Sequence, residues 1–122
     1  GKKNVVLAFF PAAFSGTCSQ QMPRIQAEMP NFDASDAVVV GISVDNTWSL
    51  EAFAQQLDVK FPLLSDFYPH GAVAQAYGVL RDNGVSERAV IGIDKQGTVR
   101  YIDVHPILEI PDTGLCLTAL AG

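Results

Sequence analysis

Hydrophobic positions along this chain fall into two rhythms. Residues 5–10 and 37–44 are apolar almost without alternation and rich in Val and Ile, which predicts strands covered on both faces of a parallel sheet. Between them Met22, Ile25 and Met29 recur at spacings of three and four, placing them on one face of a helix. Strand, helix, strand is a βαβ unit, right-handed by the general rule. A second helix is predicted over residues 47–57, with Asn46 or Thr47 as its N-cap and Leu50, Phe53, Ala54 and Leu57 as its apolar stripe. Residues 61–64 read as a short edge strand, because Pro62 cannot donate to a ladder. Residues 72–77 read as a short helix closed by Gly78 in the left-handed conformation. Residues 89–93 and 98–104 flank Asp94-Lys95-Gln96-Gly97, a turn that makes them an antiparallel hairpin. A last helix covers residues 112–120.

A βαβ half followed by a ββα half is the thioredoxin-like arrangement: α/β, with a mixed central sheet and helices on both faces. The 122 residues, 48% of them hydrophobic, suit one compact domain over 1–122 and show no repeat or linker. Net charge is −5 with no long run of one sign, which excludes a nucleic-acid groove or a polybasic membrane patch. Lys2-Lys3 followed by an apolar run has the outline of a signal peptide. Against that, the chain does not start with Met, Pro11 interrupts the run, and Ser15-Gly16-Thr17-Cys18 lacks the aliphatic residue of a lipoprotein box. A buried strand running into a polar loop accounts for the same residues. Two cysteines, Cys18 and Cys116, are too few for a disulfide scaffold or a Cys-rich zinc cluster and fit a reducing, cytoplasmic setting.

The richest chemistry lies in Phe10-Pro11-Ala12-Ala13-Phe14-Ser15-Gly16-Thr17-Cys18. It carries a cysteine just past the carboxyl end of a buried parallel strand, near the first turn of a helix, where open α/β sheets bind ligands. Unused backbone N–H groups and the positive end of the helix dipole favour a thiolate there. Pro11 fixes the chain as it leaves the sheet and shields one side of the sulfur, and Ser15 offers a hydroxyl to the sulfur or to a bound oxygen. An inert, buried cysteine is the alternative, but the polar Ser-Gly-Thr loop around it is not core sequence.

The spacing of Pro11, Ser15 and Cys18 resembles the active-site motif of the peroxiredoxins, with Ser in place of the more usual Thr. The likeness continues through Phe61-Pro-Leu-Leu-Ser-Asp66, Val73-Ala-Gln-Ala-Tyr-Gly-Val79 and Arg88-Ala-Val-Ile-Gly-Ile-Asp94, and covers about residues 4 to 104. With Asp66-Phe-Tyr-Pro-His-Gly-Ala72 it is most similar to the AhpE-like or bacterioferritin-comigratory-protein-like branch. The resemblance implies that Cys18 is the peroxidatic cysteine and that Arg88 completes the site, its guanidinium favouring the thiolate and polarising the peroxide. It implies reduction of hydrogen peroxide and organic hydroperoxides, with Cys18 passing through a sulfenic acid. It also implies a homodimer formed near the active-site loop, and no cofactor or metal. Members usually begin with a stretch ahead of the first core strand. This chain starts almost on that strand at Asn4, which implies a version lacking the lead-in and an apolar surface left exposed or covered by a partner chain.

Resolution of the sulfenic acid is the open step. Gln21 and Pro23 stand where a resolving cysteine in the same helix would fall. Cys116 sits in Gly-Leu-Cys-Leu-Thr-Ala-Leu, which reads as helix packing, with a resolving role as the alternative. A one-cysteine cycle completed by an external thiol, a thioredoxin-like protein or a small thiol, is therefore expected. Pro23 falls inside the helix after Cys18, so the Cys18 turn is a separate piece, the helix kinks, or the helix starts at Pro23. His70 and His105 have no ligand-spaced partners, Ser43 lacks the context of a nucleophile elbow because Asp45 stands where that motif needs Gly, and Trp48 suits packing or an interface. Phe10, Phe14 and Phe67 suit an apolar peroxide pocket, a dimer contact or core packing. Cys18-Ser-Gln-Gln21 is not C-x-x-C, and Ser86-Glu87-Arg88 stands where a thioredoxin has its cis-proline loop, which excludes a thiol-disulfide oxidoreductase. The rival from another class is a thioredoxin-fold binding or scaffolding domain in which Cys18 is idle.

Overall fold

The computed structural model describes residues 3–106, 109–110 and 113–121. In chain order the elements are β1 (Asn4–Phe9), α1 (Gly16–Ala27), α2 (Met29–Ala34), β2 (Ala37–Ser43), α3 (Thr47–Leu57), β3 (Leu63–Ser65), α4 (Ala72–Ala76), β4 (Arg88–Ile93), β5 (Val99–His105) and α5 (Thr113–Ala121). The five strands form one sheet in the order β3-β2-β1-β4-β5. It is parallel across β3, β2 and β1 and antiparallel across β1, β4 and β5, the mixed thioredoxin-like sheet that the element order predicts.

β1 lies at the centre and is covered on both sides, which is why its sequence does not alternate. Val6, Ala8 and Phe10 face a large core with Met22 and Ile25 of α1, Phe32 of α2, Leu50 and Phe53 of α3, and Cys116, Leu117 and Leu120 of α5. Leu7 and Phe9 face the opposite side, with Ile42, Ala89 and Ile91, beneath Ala74 of α4 and Val79. The helices are thus unevenly shared between the faces. On the second face Val38, Ile102 and Val104, in register with Val5, Ile91 and Ala89, stay exposed.

Local chemistry sets the element ends. Asn46 caps α3, its side chain accepting from the Ser49 N–H at 2.8 Å. Gly97 closes the β4–β5 hairpin at φ 82°, and Gly78 follows α4 at φ 75°, both as the turns require. The edge strand starts two residues after Phe61, because Pro62 contributes only its carbonyl, which accepts from the Gly41 N–H at 2.9 Å. The last helix begins at Thr113 among the described residues, Asp112 lying outside them.

One predicted helix is two. Met22, Ile25 and Met29 do not share a helix, since α1 ends at Ala27 and α2 begins at Met29. Pro30 explains the break: inside a continuing helix it could not donate to the Gln26 carbonyl and its ring would collide with it, whereas in the first turn of a new helix it is welcome. Pro23, by contrast, is carried within α1, which starts at Gly16. The Cys18 turn is therefore neither a separate piece nor left ahead of a helix that starts at Pro23, and the Ser19 carbonyl goes without its usual helical donor.

Candidate active site

Where β1 ends, the chain is tied down from three directions. The Phe10 N–H donates to the Ile42 carbonyl at 3.0 Å, extending the β1–β2 ladder by one bond. The Phe10 carbonyl accepts from the hydroxyl of Ser86 at 2.8 Å, which joins the loop before β4 to the same point. Beyond buried Pro11, the Ala13 N–H donates to Asp45 Oδ2 at 2.7 Å, and the Ser43 hydroxyl donates to the same oxygen at 2.7 Å. Phe14 then adopts φ 67°, a left-handed conformation that an aromatic residue holds only when its surroundings insist. Its ring meets Phe53 edge-on at 5.1 Å.

This loop delivers Ser15 as the N-cap of α1 and Cys18 into the first turn. The first helical bond runs from the Ser19 N–H to the Ser15 carbonyl at 2.8 Å, so the N–H groups of Gly16, Thr17 and Cys18 have no helical acceptor. The cysteine thus lies at the positive end of a twelve-residue helix. The Ser15 hydroxyl donates to the Ala12 carbonyl at 3.0 Å and not to the sulfur. It must rotate to serve a bound oxygen.

Arg88 arrives from the other half of the fold. Phe9 pairs with Ala89, so the first residue of β4 comes beside the point where the chain leaves β1. Arg88 Nη2 donates to Cys18 Sγ at 3.1 Å, and Arg88 Nη1 donates to Gln21 Oε1. Cys18 is 0% exposed, Arg88 1% and Gln21 1%. A guanidinium so deeply buried must have its donors satisfied, and the Cys18 sulfur and the Gln21 oxygen accept from two of them.

The structure thus brings together Cys18 and Arg88, residues far apart in the sequence, with Pro11 and Ser15 on the loop between sheet and helix. Two contributors go unmarked in the sequence reading. Gln21 enters it only as the occupant of a resolving cysteine's place, although its position three residues after Cys18 puts it on the same helix face. Asp45 enters only as the residue that spoils a nucleophile elbow, and no local pattern links it to Ala13. Ser43 is a strand residue, as the predicted strand over 37–44 has it, though β2 stops there, and its hydroxyl holds Asp45.

Cys116 is a free thiol packed in the core on α5, its sulfur 2.7 Å from where a β-carbon on Gly92 would stand. Burial pushes this thiol up from 9.0 to about 11, leaving it protonated and weakly nucleophilic at neutral pH. Of the three phenylalanines, Phe10 is core, 5.9 Å from Phe53, while Phe14 and Phe67 are half exposed. Phe67 joins Trp48, Asn46, Thr47 and Ser65 around an apolar hollow of about 330 Å³. Trp48 is 82% exposed, so within this chain it does no packing.

A buried cysteine at a helix N-terminus, with an arginine on its sulfur and a thioredoxin-like sheet behind it, defines a thiol-based redox enzyme. The sequence profile described as the AhpC/TSA family matches residues 1–102. Alkyl hydroperoxide reductase E of Mycobacterium tuberculosis is 39% identical over 123 residues, which take in all of this chain and 80% of the relative. A chloroplastic 2-Cys peroxiredoxin of Hordeum vulgare is 29% identical over 113 residues, covering 86% of this chain and 53% of the relative. Among solved structures, the reduced 2-Cys peroxiredoxin of Plasmodium vivax superposes with a TM-score of 0.87 at 26% identity, covering 97% of this chain and 76% of the other. The chain belongs to the AhpC/TSA family of peroxiredoxins, on the AhpE-like side of it, and is a thiol-dependent peroxidase. An idle binding domain is not favoured.

Proposed function

We propose that residues 1–122 work as one peroxidase domain in which Cys18 is the peroxidatic nucleophile and Arg88, Ser15 and Pro11 complete its site. The observation that carries this reading is the 3.1 Å contact between Arg88 Nη2 and Cys18 Sγ in a setting from which both are shut off from water. The Cys18 thiolate attacks one peroxide oxygen, an S–O bond forms as the O–O bond breaks, and the sulfur gives up two electrons. The departing oxygen leaves as alkoxide or hydroxide and takes up a proton to become alcohol or water. Arg88 and the open N–H groups of the first turn stabilise the charge moving onto that oxygen, and Pro11 screens the sulfur from solvent. Ser15, once rotated away from Ala12, donates to the peroxide and orients it.

Cys18 is left as a sulfenic acid. Two equivalents of an external thiol return it to the thiol, releasing water and a disulfide. The burial and protonation of Cys116 favour this one-cysteine cycle over an internal one. Both hydrogen peroxide and organic hydroperoxides are substrates on this reading, and the relative named an alkyl hydroperoxide reductase supports the second class. The reductant is a thioredoxin-like protein or a small thiol. Exposed Phe14, Trp48, Phe67 and Tyr68 beside the active-site loop suit a homodimer contact. No helix among the described residues is long and apolar enough to cross a membrane, and a cytoplasmic setting fits a cycle that consumes thiols.

One equivalent of hydrogen peroxide should convert Cys18, and not Cys116, to a dimedone-reactive sulfenic acid within seconds at micromolar protein. Arg88→Ala should slow this step by about two to three orders of magnitude, on the order of 3–4 kcal/mol of transition-state stabilisation. A Cys18 that reacts no faster than a free thiol in solution would remove the basis for the assignment.

A further inference from the structure

The edge strand β5 brings a titratable cluster to the same face of the sheet as the active-site arginine. His105, its last residue, is paired with Arg88 across the β4–β5 ladder. Directly opposed residues of antiparallel strands project from the same face with their β-carbons about 5 Å apart. That face is the one covered by α1, since Arg88 Nη2 donates to Cys18 Sγ there. Two carboxylates hold the imidazole: Nδ1 lies 3.0 Å from Asp103 Oδ2 and Nε2 lies 3.4 Å from Glu109 Oε1. A neutral ring has one N–H and turns a lone pair on one of these acceptors, so only the imidazolium meets both. Among the described residues no group of three such side chains is arranged to hold a metal ion, which leaves a proton as the ligand of this cluster.

The elements packed on β5 are chiefly β4 and α5. Arg88 is the one ionisable residue of β4, and α5 presents only the core thiol Cys116 among its described residues. On β5 itself Tyr101 shares the face with Asp103 and His105, and α1 adds Cys18 and the exposed Arg24. Arg88 is thus the charged neighbour of two titratable groups, Cys18 and His105. A thiolate at Cys18 balances the guanidinium, whereas a sulfenic acid is neutral and leaves its charge to bear on the imidazolium beside it. We propose that His105, held by Asp103 and Glu109, is a redox-linked proton site, which binds its proton more tightly while Cys18 is a thiolate and gives part of it up when Cys18 becomes a sulfenic acid. Thiolate, peroxide and one proton yield sulfenic acid and water or alcohol, two electrons passing from the sulfur to the O–O bond. Oxidation therefore draws one proton from solution, and the linked site supplies part of it from within the protein. The coupling is reciprocal, so that protonated His105 favours the thiolate by the same factor. The proposal rests on the reading of Cys18 as the nucleophile.

The chain has 2 histidines, so the imidazole proton resonances of His70 and His105 can be titrated by NMR and assigned with a His105→Gln protein. In the reduced parent the His105 midpoint should lie about half a unit above its value in Cys18→Ser, which keeps the shape of the site without the charge. His70, whose Nε2 donates to the Gly84 carbonyl at 2.6 Å, should titrate alike in both proteins and serves as the control. A His105 midpoint that is the same in the two proteins, or that moves only in step with His70, would overturn the proposal. A second measurement leaves Cys18 in place. In weak buffer with a pH indicator, hydrogen peroxide should draw about one proton per thiolate oxidised in His105→Gln, but only about 0.7 in the parent at the His105 midpoint, the fraction a half-unit shift implies. Equal uptake by the two proteins would also overturn the proposal, and it is the result expected of a merely structural histidine. Failure of the underlying reading looks different, because Cys18 would then oxidise no faster than a free thiol whether residue 105 is His or Gln.

Discussion

Asp45 shows how much of this site is held by a residue that never meets the sulfur. One carboxylate oxygen takes both the Ala13 N–H and the Ser43 hydroxyl at 2.7 Å, so the loop that carries Pro11 and Ser15 is pinned to the end of β2. The same loop contains Phe14 at φ 67°, a conformation that costs free energy and relaxes once its restraints go. Removing the carboxylate leaves a half-buried N–H and a buried hydroxyl short of partners, a loss of about 1–3 kcal/mol. Asp45→Ala should therefore slow oxidation of Cys18 by roughly tenfold to a hundredfold, as expected when reacting groups lose their alignment. Asp45→Asn retains an acceptor oxygen and should keep most of the rate. Stopped-flow measurement with hydrogen peroxide separates the two. If Asp45→Ala reacted as fast as the parent, the pinned loop would have no part in positioning the reaction.

Among the elements, β4 does two jobs at once. Arg88 at its start reaches the thiol, and four residues on Gly92 lets α5 settle directly onto the strand backbone. A β-carbon at Gly92 would stand 2.7 Å from Cys116 Sγ and 3.3 Å from Leu120 Cγ, so this glycine is set by close approach and not by a turn. Gly92→Ala should destabilise the protein by about 1–3 kcal/mol through overpacking. Adding Cys116→Ala removes the nearer clash and should recover most of that loss, giving a coupled double-mutant cycle in chemical denaturation. If the two losses simply added, the contact would not be the cause. Elements of this kind differ in how far the sequence discloses them. The unbroken apolar run of β1, the Asn46 cap and the Gly97 turn each announce themselves within a few residues, because the forces that shape them are local. Pro30 is a local signal for ending α1, but the regular spacing of Met22, Ile25 and Met29 reads across it as one helix. The site was half legible: Cys18 and Arg88 stand in recognisable segments, while the bonds from Asp45 to Ala13 and from Arg88 to Gln21 join positions 32 and 67 apart and exist only once the sheet has formed.

At the scale of the whole molecule, stability is unevenly spread, and the unevenness matches the chemistry. β1 and β4 are central in the sheet and nearly all their residues are buried. β3 has three residues at one edge, β5 alternates exposed and half-buried positions at the other, and α4 is a five-residue helix. Amide exchange in such a fold proceeds by local opening at the margins and by global unfolding at the centre. Val6, Ala8, Val90 and Ile91 should be the slowest amides to exchange, and those of β3 and α4 should exchange orders of magnitude faster at neutral pH. The first turn of α1 belongs with the fast group, since its opening bond is the single Ser19 to Ser15 contact and Pro23 weakens the helix behind it. Arg88 is thus anchored in the most rigid part of the molecule and Cys18 in a part that opens cheaply. That division suits the proposed cycle, in which a sulfur fully buried in the reduced protein must later reach an external thiol. Native-state exchange followed by mass spectrometry, on reduced protein and on protein held as the sulfenic acid, checks the point. Exchange at residues 16–19 should accelerate on oxidation while β4 is unchanged. Uniform protection of β3, α4, the first turn of α1 and the central strands would mean that the sheet and the active-site turn open together, and the sulfur would then have no separate route to its reductant.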